Sequence, residues 1–213
     1  HMIIAIDGSA ASGKGTLAKQ LAKHLGLAHL DTGWLYRAVA LQLLNAGQDP
    51  KNITEKQCVD SCLQLDLDLT QSPLIRSDNV AEMASIVAAI PAVRAALLNL
   101  QRQFAAQPPH GSGAILDGRD IGSVVLPHAD IKFFIDADID IRAERRTKEL
   151  IQAGQSVIFR DVLSEMQERD IRDRSRTVAP LRPADDAITI DTSHMDADAV
   201  LALAQSHIAA LAV

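Results

Sequence analysis

The stretch Gly8-Ser9-Ala10-Ala11-Ser12-Gly13-Lys14-Gly15-Thr16 constrains this chain more than any other part of it. It stands between a short apolar run, Met2 to Asp7, and a helical pattern from Gly13 to Leu25 that Gly26 stops. Glycines and small side chains let consecutive backbone N–H groups turn inward around phosphate oxygens. The N-terminus of the following helix adds about half a positive charge aimed at the same point. Lys14 adds a full one, placed to bridge a β- and a γ-phosphate. A tight strand–helix turn carrying a surface lysine is the plain alternative, but the strand–loop–helix setting at the first βα junction favours a phosphate-binding loop. Gly15 occupies the place where the general pattern has a Ser or Thr magnesium ligand, and Thr16 follows one step later. A Mg2+ ion is therefore expected to be held mainly by nucleotide phosphates and water, and no protein ligand set is assigned to it.

The remaining chain alternates short apolar runs with helical patterns, as in an α/β fold with a mostly parallel sheet flanked by helices. Five strands are expected: Met2 to Asp7, Ala28 to Asp31, Ala114 to Asp117, Ile131 to Asp136 and Ala187 to Asp191. Helices are expected over Gly33 to Ala46, closed by Gly47, and from near Asp196, where Val200, Leu201, Leu203, Ala204 and Ile208 form an apolar stripe. Two regions break the alternation. Residues 32–113 form a long, mainly helical excursion, with Ser77 or Asp78 capping one helix and Pro91 opening the next. Residues 142–176 form a charged helical pair divided near Gly154. The expected organisation is a core of residues 2–31, 114–141 and 178–213, an insertion over 32–113 and a flap over 142–177.

Composition narrows the partners. With 213 residues, 47% of them apolar and 23% charged, the chain suits one α/β domain with insertions. A net charge of −6 argues against broad binding to nucleic acid or a membrane surface, while leaving a local anion site open. His1-Met2 is read as a vector-derived remnant and left out of fold reasoning. No apolar run approaches the roughly 18 residues of a membrane helix. Ile3 to Ile6 is too short for a secretory signal, so a cytoplasmic location is expected. Cys58 and Cys62, four residues apart with no nearby histidine, read as packing thiols in a reducing compartment.

Two short motifs sharpen the picture. Asp31-Thr32-Gly33-Trp34-Leu35-Tyr36-Arg37 follows the second strand, where Thr32 is placed to cap the next helix. The third strand ends in Asp117-Gly118-Arg119-Asp120-Ile121-Gly122, two carboxylates around an arginine at the strand edge where open α/β sheets bind ligands. With Arg169-Asp170-Ile171-Arg172-Asp173-Arg174-Ser175-Arg176 and the Pro180-Leu181 after it, these motifs resemble those of bacterial cytidylate kinases, from the first strand to the last. The resemblance implies a P-loop kinase core whose insertion over 32–113 binds the acceptor and whose 142–177 flap is a lid. It implies transfer of the γ-phosphate of ATP to CMP, and to dCMP. Ser85, Arg94 and Asp120 would contact the cytosine, Thr32 would lie in the acceptor site, and Asp173 would hold the ribose hydroxyls. Arg37, Arg119, Arg169 and Arg176 would hold phosphate, and Asp117 would face the magnesium–phosphate region. Three departures from the family pattern stand out: Trp34 in place of a small residue, Ala10-Ala11 in the loop, and a short stretch from Leu65 to Asp78.

Charge along the flap agrees with a role on phosphates. Nine basic and seven acidic side chains lie between Arg142 and Arg176 in a chain that is otherwise strongly acidic. At helical spacing Arg169, Arg172, Asp173 and Arg176 share one side, and Arg142, Arg145 and Arg146 cluster on the preceding helix. A solvated face laced with i,i+4 pairs is the alternative. The attacking atom would be an ionised phosphate oxygen, so no general base is required, and His24, His29, His110, His128, His194 and His207 are read as structural or surface residues. Lys14, Arg119, Arg145 and Arg176, with Mg2+, would neutralise charge on the transferred group. A different small-molecule P-loop kinase, or a nucleotide-binding regulatory module without turnover, stays open. The expected assembly is a monomer.

Overall fold

The computed structural model of the protein describes residues 1–177 and 179–211. Residue 178, where the last core segment was expected to begin, and residues 212 and 213 at its end lie outside the described residues. The regular elements are β1 (Met2–Gly8), α1 (Lys14–Leu25), β2 (Ala28–Asp31), α2 (Thr32–Asn45), α3 (Glu55–Leu63), α4 (Asp78–Ala88) and α5 (Pro91–Ala106). They continue with β3 (Gly113–Gly118), β4 (Ile131–Asp136), α6 (Ile139–Gln152), α7 (Phe159–Ser175), β5 (Ile188–Asp191) and α8 (Ala197–Ala210). The chain divides into two compact units, one made of His1–His29 with Gln107–Val213 and the other of Leu30–Ala106.

The five strands form one sheet in the order β2-β3-β1-β4-β5, and β1–β3, β1–β4 and β4–β5 run parallel. In register, Ile4 lies between Ile115 and Ile131, and Phe133 opposite Ile188. The middle strands are apolar almost throughout, as strands covered on both faces must be. Ile4, Ile6, Ile115, Phe133 and Ile135 are buried with Leu17 and Leu21 of α1 and Val200, Leu201, Ala204 and Ile208 of α8. Burying each large side chain here contributes about 1.5–3 kcal/mol. The chain leaves β1 toward β2, returns through β3, and crosses to β4 on the other side of β1. The carboxyl end of β1, where the Gly8–Thr16 loop begins, therefore lies at the place where strand exits diverge.

The second unit is helical. Leu35, Ala38, Val39, Leu41 and Leu43 of α2 pack with Cys58 and Cys62 of α3, Val80, Met83 and Val87 of α4, and Val93 and Leu97 of α5. The two cysteines are free and buried, as packing thiols are. Thr54 and Gln57 form a reciprocal cap on α3, and Ser77 caps α4 by accepting from the Val80 N–H. At the start of α2 the cap is Asp31 and not Thr32. The Asp31 carboxylate accepts from the Gly33 N–H at 3.0 Å, while Thr32 is buried as the first helical residue. The stretch between α3 and α4 folds into two short 3-10 turns, Leu67–Gln71 and Pro73–Arg76, capped by Asp66 and Ser72. Among the described residues no single helix is long and apolar enough to cross a membrane. The pair α4 and α5 qualifies jointly by length and composition, but bends by 97°.

Candidate active site

The Gly8–Thr16 loop has the backbone a phosphate cradle requires. Ala11 and Gly13 both adopt left-handed conformations, with φ of 59° and 98°, and Ser12 lies between them. Alternating handedness turns successive N–H groups to one side of the chain. Gly8 is obligatory for a different reason: a β-carbon there would sit 2.1 Å from the carbonyl oxygen of Ile135. Lys14 opens α1, whose first turn holds no acidic side chain to cancel the helix dipole. The Ser12 hydroxyl is buried and has no hydrogen-bond partner among the described residues, as expected of a group waiting for an oxygen-rich ligand.

Side chains from four later elements fix this loop. Ser9 donates from Oγ to Oδ1 of Asp136, the last residue of β4, at 2.6 Å. The other Asp136 oxygen accepts from Arg174 of α7 at 3.1 Å. Burial alone would raise the Asp136 carboxyl, but the Ser9 hydroxyl, the Ala137 N–H and Arg174 together hold it below its ordinary value. Arg142 of α6 is buried, donates to the carbonyls of Ala10 and Ala137, and meets both oxygens of Asp170 on α7. Ala10 itself packs with Ala143, Val162 and Met166 of α6 and α7. After β5, Thr192 donates from Oγ1 to the Ser12 carbonyl at 2.8 Å. The charged helical pair is thus bound directly to the loop, at Ala10 and through Asp136.

Three of the four arginines expected to hold phosphate, Arg119, Arg169 and Arg176, gather on this same unit, and Arg37 belongs to the other. Arg119, just past β3, is ion-paired with Asp173 of α7, and Arg176 lies 3.5 Å and Arg169 4.0 Å from the same carboxylate. The Arg176 Nε is buried without a partner among the described residues. Burial, together with repulsion from Arg169 and Arg176, holds the Arg119 guanidinium down to about 10 despite Asp173. Arg169 is likewise lowered, first by burial and then by Arg146, Arg172 and Arg176. Three guanidinium groups around one carboxylate leave uncompensated positive charge, which an added anion would neutralise.

Other predicted residues have different company. Arg145 donates to Oγ1 and O of Thr192, at 3.0 and 2.6 Å, so its guanidinium supports the strand end behind Ser12. Arg142, Arg145 and Arg146, expected to cluster on one side of α6, each hold a different partner. Arg142 donates to Asp170, Arg145 to Thr192 and Arg146 to Glu149. Asp117 is buried and lies 2.5 Å from Nε2 of His29 on β2. Asp120 is also buried, at the start of a single π-helical turn, Ile121–Val125. Sequence reasoning read His29 only as a structural or surface residue and gave Asp136 and Thr192 no part in the site. A carboxylate closing β4, at the same sheet edge as Asp117, was the legible signal for Asp136; the His29 and Thr192 contacts span 88 and 180 residues and left none.

In the second unit, Arg37 of α2 donates to the Ile75 carbonyl at 3.1 Å. Arg94 of α5 donates to the Ala88 carbonyl and stacks over Tyr36, and Arg76 stacks over Trp34. Ser85 is exposed on α4, and Thr32 is buried at the start of α2.

The family model for cytidylate kinase matches residues 4–209. The chain belongs to the cytidylate kinase family. A cytidylate kinase of Paramagnetospirillum magneticum is 54% identical over 202 residues, 95% of each chain, and one of Azorhizobium caulinodans is 50% identical over 212 residues, covering 100% of this chain and 97% of that one. Among solved structures, an uncharacterized protein from Eubacterium ventriosum shares the fold, with a TM-score of 0.54, 16% identity and 98% of each chain covered. Membership of the cytidylate kinases rests on the sequence relatives, and the α/β fold on the sheet and on this structural likeness.

Proposed function

We propose that the protein is a cytidylate kinase that moves the γ-phosphate of ATP to CMP, and also to dCMP, yielding ADP and the diphosphate. The observation that carries this reading is the attachment of the arginine-rich helix α7 to the phosphate-binding loop, through Arg174–Asp136–Ser9 and Asp170–Arg142–Ala10. A phosphate oxygen of CMP attacks the γ-phosphorus, and the bond from that phosphorus to the β,γ-bridging oxygen breaks as ADP leaves. The attacking oxygen is already ionised, so no proton needs to be removed, and rate comes from alignment and charge neutralisation.

In this reading Gly8, Ser9, Ala10, Ala11, Ser12, Gly13, Lys14, Gly15 and Thr16 hold the donor phosphates. Lys14, Arg119 and Arg176 meet the transferred group, and Arg145 acts through Thr192. Arg37 and Arg169 take phosphate, Ser85, Arg94 and Asp120 take the cytosine, Thr32 belongs to the acceptor side, and Asp173 takes the ribose hydroxyls. Residues 32–113 would receive the acceptor and 142–177 act as the lid. Among the described residues no group of three His, Cys, Asp or Glu side chains is placed to hold a metal. Mg2+ would enter on the ATP phosphates and supply charge neutralisation, with Asp117 nearest in role. A monomer in the cytoplasm completes the proposal, in keeping with the free buried thiols Cys58 and Cys62.

A coupled assay of ADP release with CMP, dCMP, UMP and AMP tests it. Highest kcat/KM with CMP or dCMP is expected. A preference for AMP, or for a non-nucleotide acceptor, would replace the reading with that of another P-loop kinase, and ATP binding without acceptor-dependent ADP would leave a regulatory module.

A further inference from the structure

Asp7 is a buried carboxylate that the mechanism above does not use. It is 4% exposed and sits in the interior of the sheet, next to Gly8 at the end of β1. Its Oδ1 accepts from the Ile121 N–H and its Oδ2 from the Gly122 N–H, each at 2.8 Å. Both oxygens are thus spent on two successive amides of the turn that begins at Asp120. That turn is otherwise held by its own backbone, the Val124 and Val125 N–H groups donating to the Asp120 carbonyl. Gly122 fits tightly: a β-carbon would stand 3.0 Å from Cδ of Lys132 and 3.4 Å from Oδ2 of Asp7, so the lysine stem or the turn must shift to admit it.

Burying a carboxylate is costly, and a small apolar residue would fill an interior strand position at lower cost. The two amide contacts are what this residue adds. We infer that Asp7 is a positioning residue for acceptor selection: by clamping the Ile121 and Gly122 amides it fixes the backbone that presents the Asp120 carboxylate to the cytosine. The inference rests on the assignment of Asp120 to the base. The clamp is geometric. Asp7 belongs to the strand that leads directly into the donor loop, so the loop and the base-reading turn share one rigid support, and a displacement of about 1 Å at Asp120 is enough to cost up to ~10²-fold in rate.

Assayed at pH 8, above the range in which Asp7 holds its proton, Asp7→Asn keeps size and shape but offers one acceptor and one donor to two N–H groups. The expected result is a fall of about tenfold in the ratio of kcat/KM for CMP over UMP, with KM for ATP changed less than about twofold. In the Asp7→Asn/Asp120→Asn double variant the ratio should fall no further than in Asp120→Asn alone, since both changes act through one carboxylate. An Asp7→Asn enzyme with a raised KM for ATP and an unchanged CMP/UMP ratio overturns the inference and makes Asp7 a support of the donor loop. If Asp120→Asn itself leaves the ratio at its wild-type value, the base assignment fails, whatever Asp7 does. Should Asp7→Asn not fold, Gly122→Ala crowds the same turn against Lys132 and Asp7. It must reproduce the loss of ratio with KM for ATP intact, and if it does not, the clamp has no part in selection.

Discussion

Arg142 and Asp170 meet as a two-pronged ion pair, with nitrogen–oxygen distances of 3.0 and 2.5 Å, inside the contact between α6 and α7. The same guanidinium also donates to Ala10 and Ala137, so its donors are spread over the flap, the donor loop and the end of β4. Removing it leaves Asp170 without its counter-ion and two carbonyls without donors. Arg142→Ala should lower the unfolding free energy by about 3–5 kcal/mol in a urea titration. Arg142→Lys should recover little of that, because an ammonium group cannot engage both carboxylate oxygens in a plane.

Lys14 stands at the mouth of α1 with no acidic neighbour in that turn. Lys14→Ala should reduce kcat with ATP and CMP by at least ~10², as loss of an oriented charge on the transferred phosphate does. Circular dichroism and thermal unfolding should show the fold intact. Retention of near-normal turnover would remove Lys14 from the reaction.

The crowding of Arg119 by Arg169 and Arg176 has a thermal consequence. A phosphate dianion settling among them removes repulsion as well as adding contacts. At a CMP concentration of 100 Kd the wild type should gain about 2.7 kcal/mol, or roughly 5–10 °C in Tm for a domain of this size. Arg176→Ala should lose most of that gain at the same CMP concentration while its Tm without ligand stays level or rises. Differential scanning calorimetry with and without CMP separates the two effects.

Asp7 gives the protein a pH signature. Burial raises its carboxyl to about 7, opposed by the Gly122 and Ile121 amides; Asp120 raises it further and Lys14 lowers it. Lys132 on β4 completes the surroundings, its stem lying where a side chain at Gly122 would go. A raised carboxyl value means the folded state holds a proton that the unfolded chain releases near 3.8. This group therefore favours the fold at low pH, and its contribution is lost as pH rises from ~4 to about 7, then stays level. The stability of the wild type relative to Asp7→Asn should fall across that window. Urea titrations of both proteins at pH 5, 6, 7 and 8 measure it, and a flat difference would mean an ordinary carboxyl value.

Much of this architecture is legible in the sequence wherever a local rule acts alone. Ala28–Asp31 and Ile131–Asp136 fall where their apolar runs begin and end, Gly26 stops α1 and Ser77 caps α4, because each depends on a few adjacent residues. The cap of α2 was misplaced by one position, since Asp31 and Thr32 both carry a suitable oxygen and only backbone geometry decides between them. The π-helical turn after Asp120 has no periodic pattern of its own; it exists where Asp7, more than a hundred residues earlier, receives two of its amides. Helical spacing likewise put Arg142, Arg145 and Arg146 on one side, but it says nothing about the separate partners on α7 and after β5 that Arg142 and Arg145 hold. Spacing finds which residues share a side of a helix, and packing decides what each one holds.

The bond from Thr192 to the Ser12 carbonyl has a bearing on how the protein is made. A ribosome delivers the donor loop first, and the threonine that braces it emerges 180 residues later. Until β5 has docked beside β4, that carbonyl lacks its partner and the loop is held on one side only. The loop is thus made well before it can mature, so a nascent chain should acquire its grip on ATP abruptly, once Thr192 is in place.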